Sequence, residues 1–393
     1  MGSEPLDAEV TYRLNQLYVY ATDSCNLRCR HCWIEPRNPG RSQPGQGIGT
    51  DLFASILDQA APLGLAGVKL TGGEPLLHPA FTRLLELIRA KDLGLSVETN
   101  GLLCTRELAR RIADFPRRFV SVSLDSADAS THDWIRGTEG SFRLAVRGIE
   151  HLVSEDVKPQ IIMTVMRRNR DHLADLVTLA ERLGAESVKF NILQPTARAE
   201  TLFQQGGALP LSELIALGRW VETELARRTS LPITFHQPPA FLGLGRMFGP
   251  AGDGCHTCGI LGILGVLADG SYALCGIGAT VPEMVFGHAA KDSLRDIWLG
   301  HPTLLAIRQG LPQRLSGVCT RCFFKRICLG SCIAQNYYRT GDLWAPFWYC
   351  EEAYRQGLFP DSRLSPKGGG PGNETTPIAS CGHSPEQHEP LNP

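Results

Sequence analysis

Residues 17–33 read LYVYATDSCNLRCRHCW. The first six form a β-branched and aromatic run of strand length, and Asp23-Ser24 end it with a turn. Cys25, Cys29 and Cys32 then follow within eight residues, so three thiols sit on one loop at the C-terminal end of the first strand. Working outward, further strand candidates are 67–72 (GVKLTG), 95–99 (LSVET), 119–125 (FVSVSLD), 160–166 (QIIMTVM) and 187–193 (SVKFNIL). Between them lie amphipathic segments such as HPAFTRLLELIRAKD and DHLADLVTLAERLG, with apolar residues recurring at three and four. Strands alternating with helices predict repeated βα units on a parallel sheet, and six units predict an α/β fold of the partial (β/α)6, TIM-like barrel kind. In such barrels chemistry gathers where the first loop lies, at the C-terminal ends of the strands.

The alternation stops at HQPPAFLGLGRMFGPAGDG, a Pro/Gly-rich bridge. Four segments are expected: an extension over 1–14, a barrel over 15–235, a C-terminal cysteine-rich iron-sulfur domain over 236–362, and a Pro/Gly/Ser-rich tail over 363–393 too poor in apolar residues to fold. The 393 residues, 43% of them hydrophobic, suffice for a sizeable core. With 39 basic against 40 acidic side chains, no overall field draws the chain to nucleic acid or an acidic membrane. MGSEPLDAEVTYRL lacks the pattern of a signal peptide and no apolar stretch is long enough to span a bilayer, so a cytoplasmic protein is expected. Thirteen cysteines then need a use other than disulfides, because a reducing compartment does not sustain them.

Three thiolates can hold three irons of a 4Fe-4S cube and leave the fourth iron open to a cofactor or substrate. A zinc site completed by His31 is the competing reading of the same loop. CNLRCRHC resembles the CxxxCxxC cluster loop of the radical S-adenosylmethionine (SAM) superfamily, with His31 where many members carry an aromatic, and Trp33 just after. The resemblance extends in order over roughly residues 15–200. It implies that the open iron chelates SAM and that the cluster's electron splits SAM into methionine and a 5′-deoxyadenosyl radical, which abstracts hydrogen from a substrate. It also gives later segments a role. Gly72-Gly73-Glu74-Pro75 is similar to the segment that binds the SAM amino group in the family. Asn100, Ser123 and Asp125 stand at strand ends where the ribose or adenine needs partners, and Arg136 is the nearest match to an arginine that reaches the SAM carboxylate. No catalytic acid or base is assigned from the sequence.

The second array runs Cys258, Cys275, Cys319-x2-Cys322-x5-Cys328-x3-Cys332, Cys350, with Cys255 beside its start. Its spacing resembles the SPASM domain, the twin-cluster extension of radical SAM peptide-modifying enzymes. The family scheme implies Cys255, Cys258, Cys275 and Cys332 on an inner auxiliary cluster, and Cys319, Cys322, Cys328 and Cys350 on an outer one. Three 4Fe-4S clusters are therefore expected, the auxiliary pair carrying an electron away or serving structure alone. Cys104 reads as a buried small hydrophobe and Cys381 as a spare thiol. Gly276 stands where sulfatase-maturing relatives place an aspartate, which weighs against that base. The aromatic run of Tyr337, Tyr338, Trp344, Phe347, Trp348 and Tyr349 suits packing over the outer cluster better than a peptide groove. The expected substrate is a ribosomally made peptide or small protein, presented by a separate leader-recognition protein, with a flavodoxin or ferredoxin as electron donor. A small-molecule substrate and a non-catalytic electron carrier are the alternatives.

Overall fold

A computed structural model describes residues 12–37, 47–249, 255 and 257–366. The expectation of a floppy tail falls outside the described residues from 367 onward, as do Cys381 and most of the expected extension over 1–14. The barrel half follows the order β1 (Gln16–Thr22), α1 (Thr50–Ala60), β2 (Gly67–Gly72), α2 (Phe81–Ala90), β3 (Gly94–Thr99), α3 (Arg106–Ala113) and β4 (Arg118–Ser123). It continues with α4 (Ala129–Arg136), α5 (Ser141–Ser154), β5 (Gln160–Val165), α6 (Leu173–Leu183), β6 (Ser187–Ile192), α7 (Arg198–Gln204), α8 (Leu211–Thr223) and β7 (Ile233–His236). β1 to β7 pair in sequence order, each parallel to the last. The six expected strands fall where the sequence placed them, and a seventh continues the series.

The cysteine-rich half contributes β8 (Ile263–Val266), β9 (Ser271–Ala273) and β10 (Val285–His288). β8 lies parallel to β1 on the side away from β2, and β9 and β10 extend the edge antiparallel. One ten-stranded sheet thus spans both halves, with β7 and β10 at its edges. Short helices follow: α9 (Leu244–Phe248), which precedes β8, then α10 (Leu294–Gly300), α11 (Pro302–Gly310), α12 (Lys325–Cys328), α13 (Ile333–Thr340) and α14 (Trp348–Arg355). Among the described residues no helix is long and apolar enough to cross a membrane.

Strand periodicity divides the two faces of the sheet. Leu17, Val68, Leu70, Val97, Val122, Met163, Val188 and Phe190 are fully buried and join helix residues such as Phe53, Ile56, Leu84, Ile88, Ile149 and Leu176 in one core. The alternate positions, including Tyr18, Lys69, Thr71, Glu98, Ser121, Ser123, Thr164, Lys189 and Asn191, point to the inside of the barrel and line a cavity. Helices α4 and α7 lie outside the periodic segments read from the sequence. α4 owes its start to a cap, with Asp128 accepting from Thr131 N at 2.7 Å, and ends on Gly137 at φ +68°.

Candidate active site

The loop after β1 is held from three sides. Cys25 N donates to Arg37 O at 2.9 Å. The C-terminal turn of α4 accepts from Arg28 N at 3.2 Å and Arg30 N at 2.9 Å. From α7, Arg198 Nη1 donates to Cys29 O and Ala199 N to Cys32 O, both at 3.2 Å. These bonds gather Cys25, Cys29 and Cys32 closely enough that each bears on the others electrostatically. Burial pushes Cys25 up to about 12 and raises Cys29 against the pull of Arg136. Thiols so buried ionise when a cation takes the proton's place, as in a metal cluster.

The glycine pair at the end of β2 meets this loop. Gly73 N donates to Thr22 O at 3.0 Å and Glu74 N to Ser24 O at 2.7 Å. A Cβ on Gly73 would fall 1.9 Å from Ser24 O, and one on Gly72, whose φ is +134°, would fall 2.7 Å from Thr22 O. The backbone these glycines accommodate is the end of β1 for Gly72 and the start of the cysteine loop for Gly73. Glu74 lines the same cavity as Gly72 and Gly73. Its carboxylate is 1% exposed and already accepts from Thr99 Oγ1 at 2.6 Å, Asn100 N at 2.8 Å and Leu76 N at 3.1 Å, tying β2 to β3. Burial pushes it up to about 7, against those three bonds, which favour the charged form.

Asn100 lies on the cavity wall, its amide donating to Asn26 Oδ1 at 2.7 Å, and Ser123 lies half-buried nearby. Asp125 is not on the wall. It is fully buried behind Arg136, with Arg136 Nε at 2.7 Å, His31 Nε2 at 3.7 Å and Thr164 N donating at 2.9 Å, so it orients Arg136. Burial works against its charge, yet Arg136, His31 and His132 hold it below the ordinary carboxylate range. Arg136 does face the cavity, with Nη1 3.6 Å from Cys29 Sγ. Its fixed positive charge suits a carboxylate lying beside the cluster loop. His31 turns toward Asp125, and burial lowers it to about 4.

The C-terminal thiols separate in space into two sets that interleave in sequence. Cys275 feels Cys332 and Cys258, while Cys350 feels Cys328, Cys319 and Cys322. Cys255 is buried and disulfide-bonded in this structure, so the free thiols of the inner set are three. Among the described residues no three His, Cys, Asp or Glu side chains converge on a point that could hold one metal ion. Zinc draws its ligands to about 2.3 Å from one point. A cubane instead spreads its thiolates over separate irons. The aromatic run packs against the barrel and the bridge that follows it: Tyr349 stacks edge-on with Phe241 at 4.9 Å, Trp348 meets Phe203 at 6.2 Å, and Tyr338 donates to Glu200 at 3.1 Å.

One cavity of about 1330 Å³ joins these parts, lined by Cys25, Cys29 and Cys32 together with Cys258, Cys275 and Cys332. Its wall holds residues the sequence reading missed. Lys69 Nζ pairs with Glu98 at 3.0 Å and sits 4.4 Å over the Tyr18 ring, and Thr71 donates to Glu98 at 3.1 Å. Tyr20 packs where a side chain on Gly276 would lie, 2.3 Å from that glycine's would-be Cβ. The signal was present in the polar residues at every second place of buried parallel strands, which ordinarily run continuously apolar.

The model of the radical SAM superfamily matches residues 19–180. Over 348 residues the chain is 31% identical to an AdoMet-dependent heme synthase of Methanosarcina barkeri, covering 86% of this chain and 95% of the relative. This chain belongs to the radical SAM superfamily. A further radical SAM relative, the mycofactocin maturase MftC of Mycobacterium ulcerans, is 29% identical over 354 residues, covering 88% of this chain and 90% of its own. The crystal structure of Streptococcus suis SuiB bound to precursor peptide SuiA superposes with a TM-score of 0.64 at 16% identity, covering 86% of this chain and 76% of that one. That likeness is one of fold. The radical SAM family implies a 4Fe-4S cluster and SAM, and the donor set of the first loop is chemically suited to that cluster.

Proposed function

We propose that this radical SAM enzyme modifies a ribosomally made peptide, abstracting a hydrogen atom from one residue so that a cross-link, an oxidation or an excision follows. The observation that carries the reading is the single cavity shared by the first cysteine loop and the inner thiol set. A substrate held there has the site of radical formation on one side and a group able to take an electron on the other. The kinship with the mycofactocin maturase and the shared fold with a peptide-bound enzyme support a peptide as the substrate. When bound, a 4Fe-4S cluster with one open iron supplies the electron that cleaves SAM to methionine and a 5′-deoxyadenosyl radical.

The chain's own contribution is binding and aiming. Cys25, Cys29 and Cys32 would hold the SAM-binding cluster. Arg136, fixed by Asp125, would take the SAM carboxylate. Gly72, Gly73 and Glu74 would face the SAM amino group, and Asn100 and Ser123 would meet the ribose or adenine, with Asp125 acting on SAM through Arg136. Cys258, Cys275 and Cys332 would hold an inner cluster, which Cys255 would join only as the thiolate freed by reduction of its disulfide, and Cys319, Cys322, Cys328 and Cys350 an outer one. A flavodoxin or ferredoxin would supply electrons, and a separate protein would present a leader peptide. The expected division into a barrel over 15–235 and an auxiliary-cluster segment over 236–362 belongs to the same proposal.

Anaerobic reconstitution followed by SAM and dithionite tests the chemistry, with 5′-deoxyadenosine the expected product. Adding any short peptide that a neighbouring reading frame encodes tests the substrate, with a change in its mass expected. A second reading, a small-molecule substrate, is favoured by the 31% identity to a heme synthase. Formation of 5′-deoxyadenosine with a small molecule turned over and every neighbouring peptide unchanged would establish it instead.

A further inference from the structure

Besides its thiols, the loop after β1 carries charge on its outer side. Arg28 and Arg30 are exposed on either side of Cys29, which is itself buried. Their backbone N–H groups rest on the end of α4. The Arg30 guanidinium lies 4.3 Å from the centre of the Trp134 ring, and its Nε donates to Trp134 O at 3.0 Å. From the segment between β5 and α6, exposed Arg168 reaches the same ring, 4.4 Å from its centre. One half-buried indole thus holds two cations together. Arg28, Arg30 and Arg168 form no ion pair among the described residues, whereas Arg37, Arg170 and Arg198 are answered by Asp23, Asp171 and Glu35. The acid next to Trp134 in sequence, Asp133, is taken up by Gly140 N, Ser141 Oγ and Phe142 N. In a chain of net charge -1, this concentration of positive charge belongs to one face alone and not to the molecule.

We propose that this face, centred on Arg28, Arg30, Trp134 and Arg168, is the docking surface for an acidic one-electron carrier protein. The inference rests on the reading that a flavodoxin or ferredoxin supplies the electron, and names where that partner sits. A substrate group held in the cavity does not touch this face, because the lining includes Cys29 and Arg136 but none of the four residues. The electron has a short way in. Consecutive residues lie about 3.8 Å apart along a chain, so a carrier seated on Arg28 and Arg30 is one residue from Cys29. Positive charge without a carboxylate of its own, fixed in place by an aromatic ring, speeds and orients the approach of an acidic partner. Arginine and tryptophan are also the side chains on which interfaces concentrate their binding energy. One electron passes from the reduced carrier to the cluster that the loop would hold, and no bond is made or broken.

The test uses the full chain reconstituted anaerobically. Binding of a bacterial flavodoxin and of a bacterial 4Fe-4S ferredoxin is measured by titration calorimetry, and 5′-deoxyadenosine formation is followed with each reduced carrier and separately with dithionite, which needs no docking surface. The parent is expected to bind at least one carrier, more weakly as salt rises. Arg168→Glu is expected to weaken that binding about tenfold, and to slow carrier-driven formation to match, with iron content and the dithionite-driven rate unchanged. Arg168→Lys keeps the charge and should bind as the parent does. Arg30→Glu lies in the cluster loop, so it is read by binding alone and should match Arg168→Glu. Arg295→Glu makes the same change of charge on α10, which is tied to α1 by Leu294 N donating to Gln59 Oε1 at 2.9 Å, and should leave binding unchanged. No binding of either carrier by the parent, parental binding in Arg168→Glu, equal weakening in Arg295→Glu, or loss of binding in Arg168→Lys overturns the proposal. So does an Arg168→Glu enzyme that keeps the carrier but fails to turn over a peptide under dithionite, since the face then serves the peptide. Absence of 5′-deoxyadenosine from the parent with dithionite counts against the radical chemistry, and is distinct from carrier binding, which is measured without SAM.

Discussion

Replacing Gly73 by alanine addresses the junction on which the cluster loop depends. The new methyl carbon would stand 1.9 Å from Ser24 O, 2.4 Å from Ser24 C and 3.1 Å from Cys25 N, all backbone atoms that no rotamer change can clear. The contact must open by at least about 1 Å, since interiors are packed without slack. Ser24 O also accepts from Glu74 N at 2.7 Å, so the shift stretches that bond and moves the peptide unit leading into Cys25. Overpacking of this kind costs about 1–3 kcal/mol, less than the net stability of about 5–15 kcal/mol usual for a folded protein. Geometry is less forgiving, because a 1 Å misplacement of a reacting group lowers rates by about a hundredfold. The expected result is a folded protein with 5′-deoxyadenosine formation down at least about tenfold and a loss of iron from the first loop. Gly49→Ala, whose Cβ would meet nothing within 4 Å, is the control and should match the parent in both measurements. A Gly73→Ala enzyme with full iron and a parental rate would refute the argument that Gly73 serves the loop.

Three further outcomes are expected. His132 is lowered by burial from the ordinary 6.5 to about 4, with Nδ1 accepting from Asp125 N at 3.1 Å. Its neutral form therefore contributes stability that is complete above pH 6.5 and lost as pH falls toward 4, by on the order of 1–3 kcal/mol. Melting curves across that window should flatten in His132→Gln, and an equal slope in the variant would count against the assignment. Tyr20 and Gly276 fill one another's space, so Tyr20→Ala and Gly276→Ala should couple in a double-mutant cycle by about 1 kcal/mol or more. Additive losses would mean the two positions are independent. Iron analysis of Cys275→Ala and Cys322→Ala should each show about four irons fewer than the parent, and the pair together about eight fewer. Parental iron in either variant would remove that cysteine from its set.

Much of the fold was legible because its signals are local. A strand of alternating residues, a helix with apolar places at three and four, and a loop with three closely spaced cysteines each announce themselves within a dozen residues. On these the six strands of the barrel, the cluster loop and the division of the cysteines into an early and a late array could be read directly. Glu74 shows where such reading stops. The sequence marks a carboxylate beside two glycines, but only the juxtaposition of β2 and β3 gives it Thr99 and Asn100 as partners and turns it into a brace. Asp125 is similar, since a strand-end aspartate becomes the buried partner of Arg136 only when α4 folds back over the loop.

The sequence alone determined which atoms are available: three thiols near the start, an interleaved array near the end, and the strand periodicity that sends polar residues to one face of the sheet. Tertiary structure decided which of these meet. β8 pairs with β1 across nearly 250 residues of chain, and that pairing brings Cys275 to the same cavity as Cys25, Cys29 and Cys32. No local pattern encodes it, because the choice of β1 as neighbour is a competition among sheet edges settled by the packing of the whole chain. The polar lumen has the same origin, since Lys69 and Glu98 lie 29 residues apart in sequence and become a pair only through the register of two neighbouring strands.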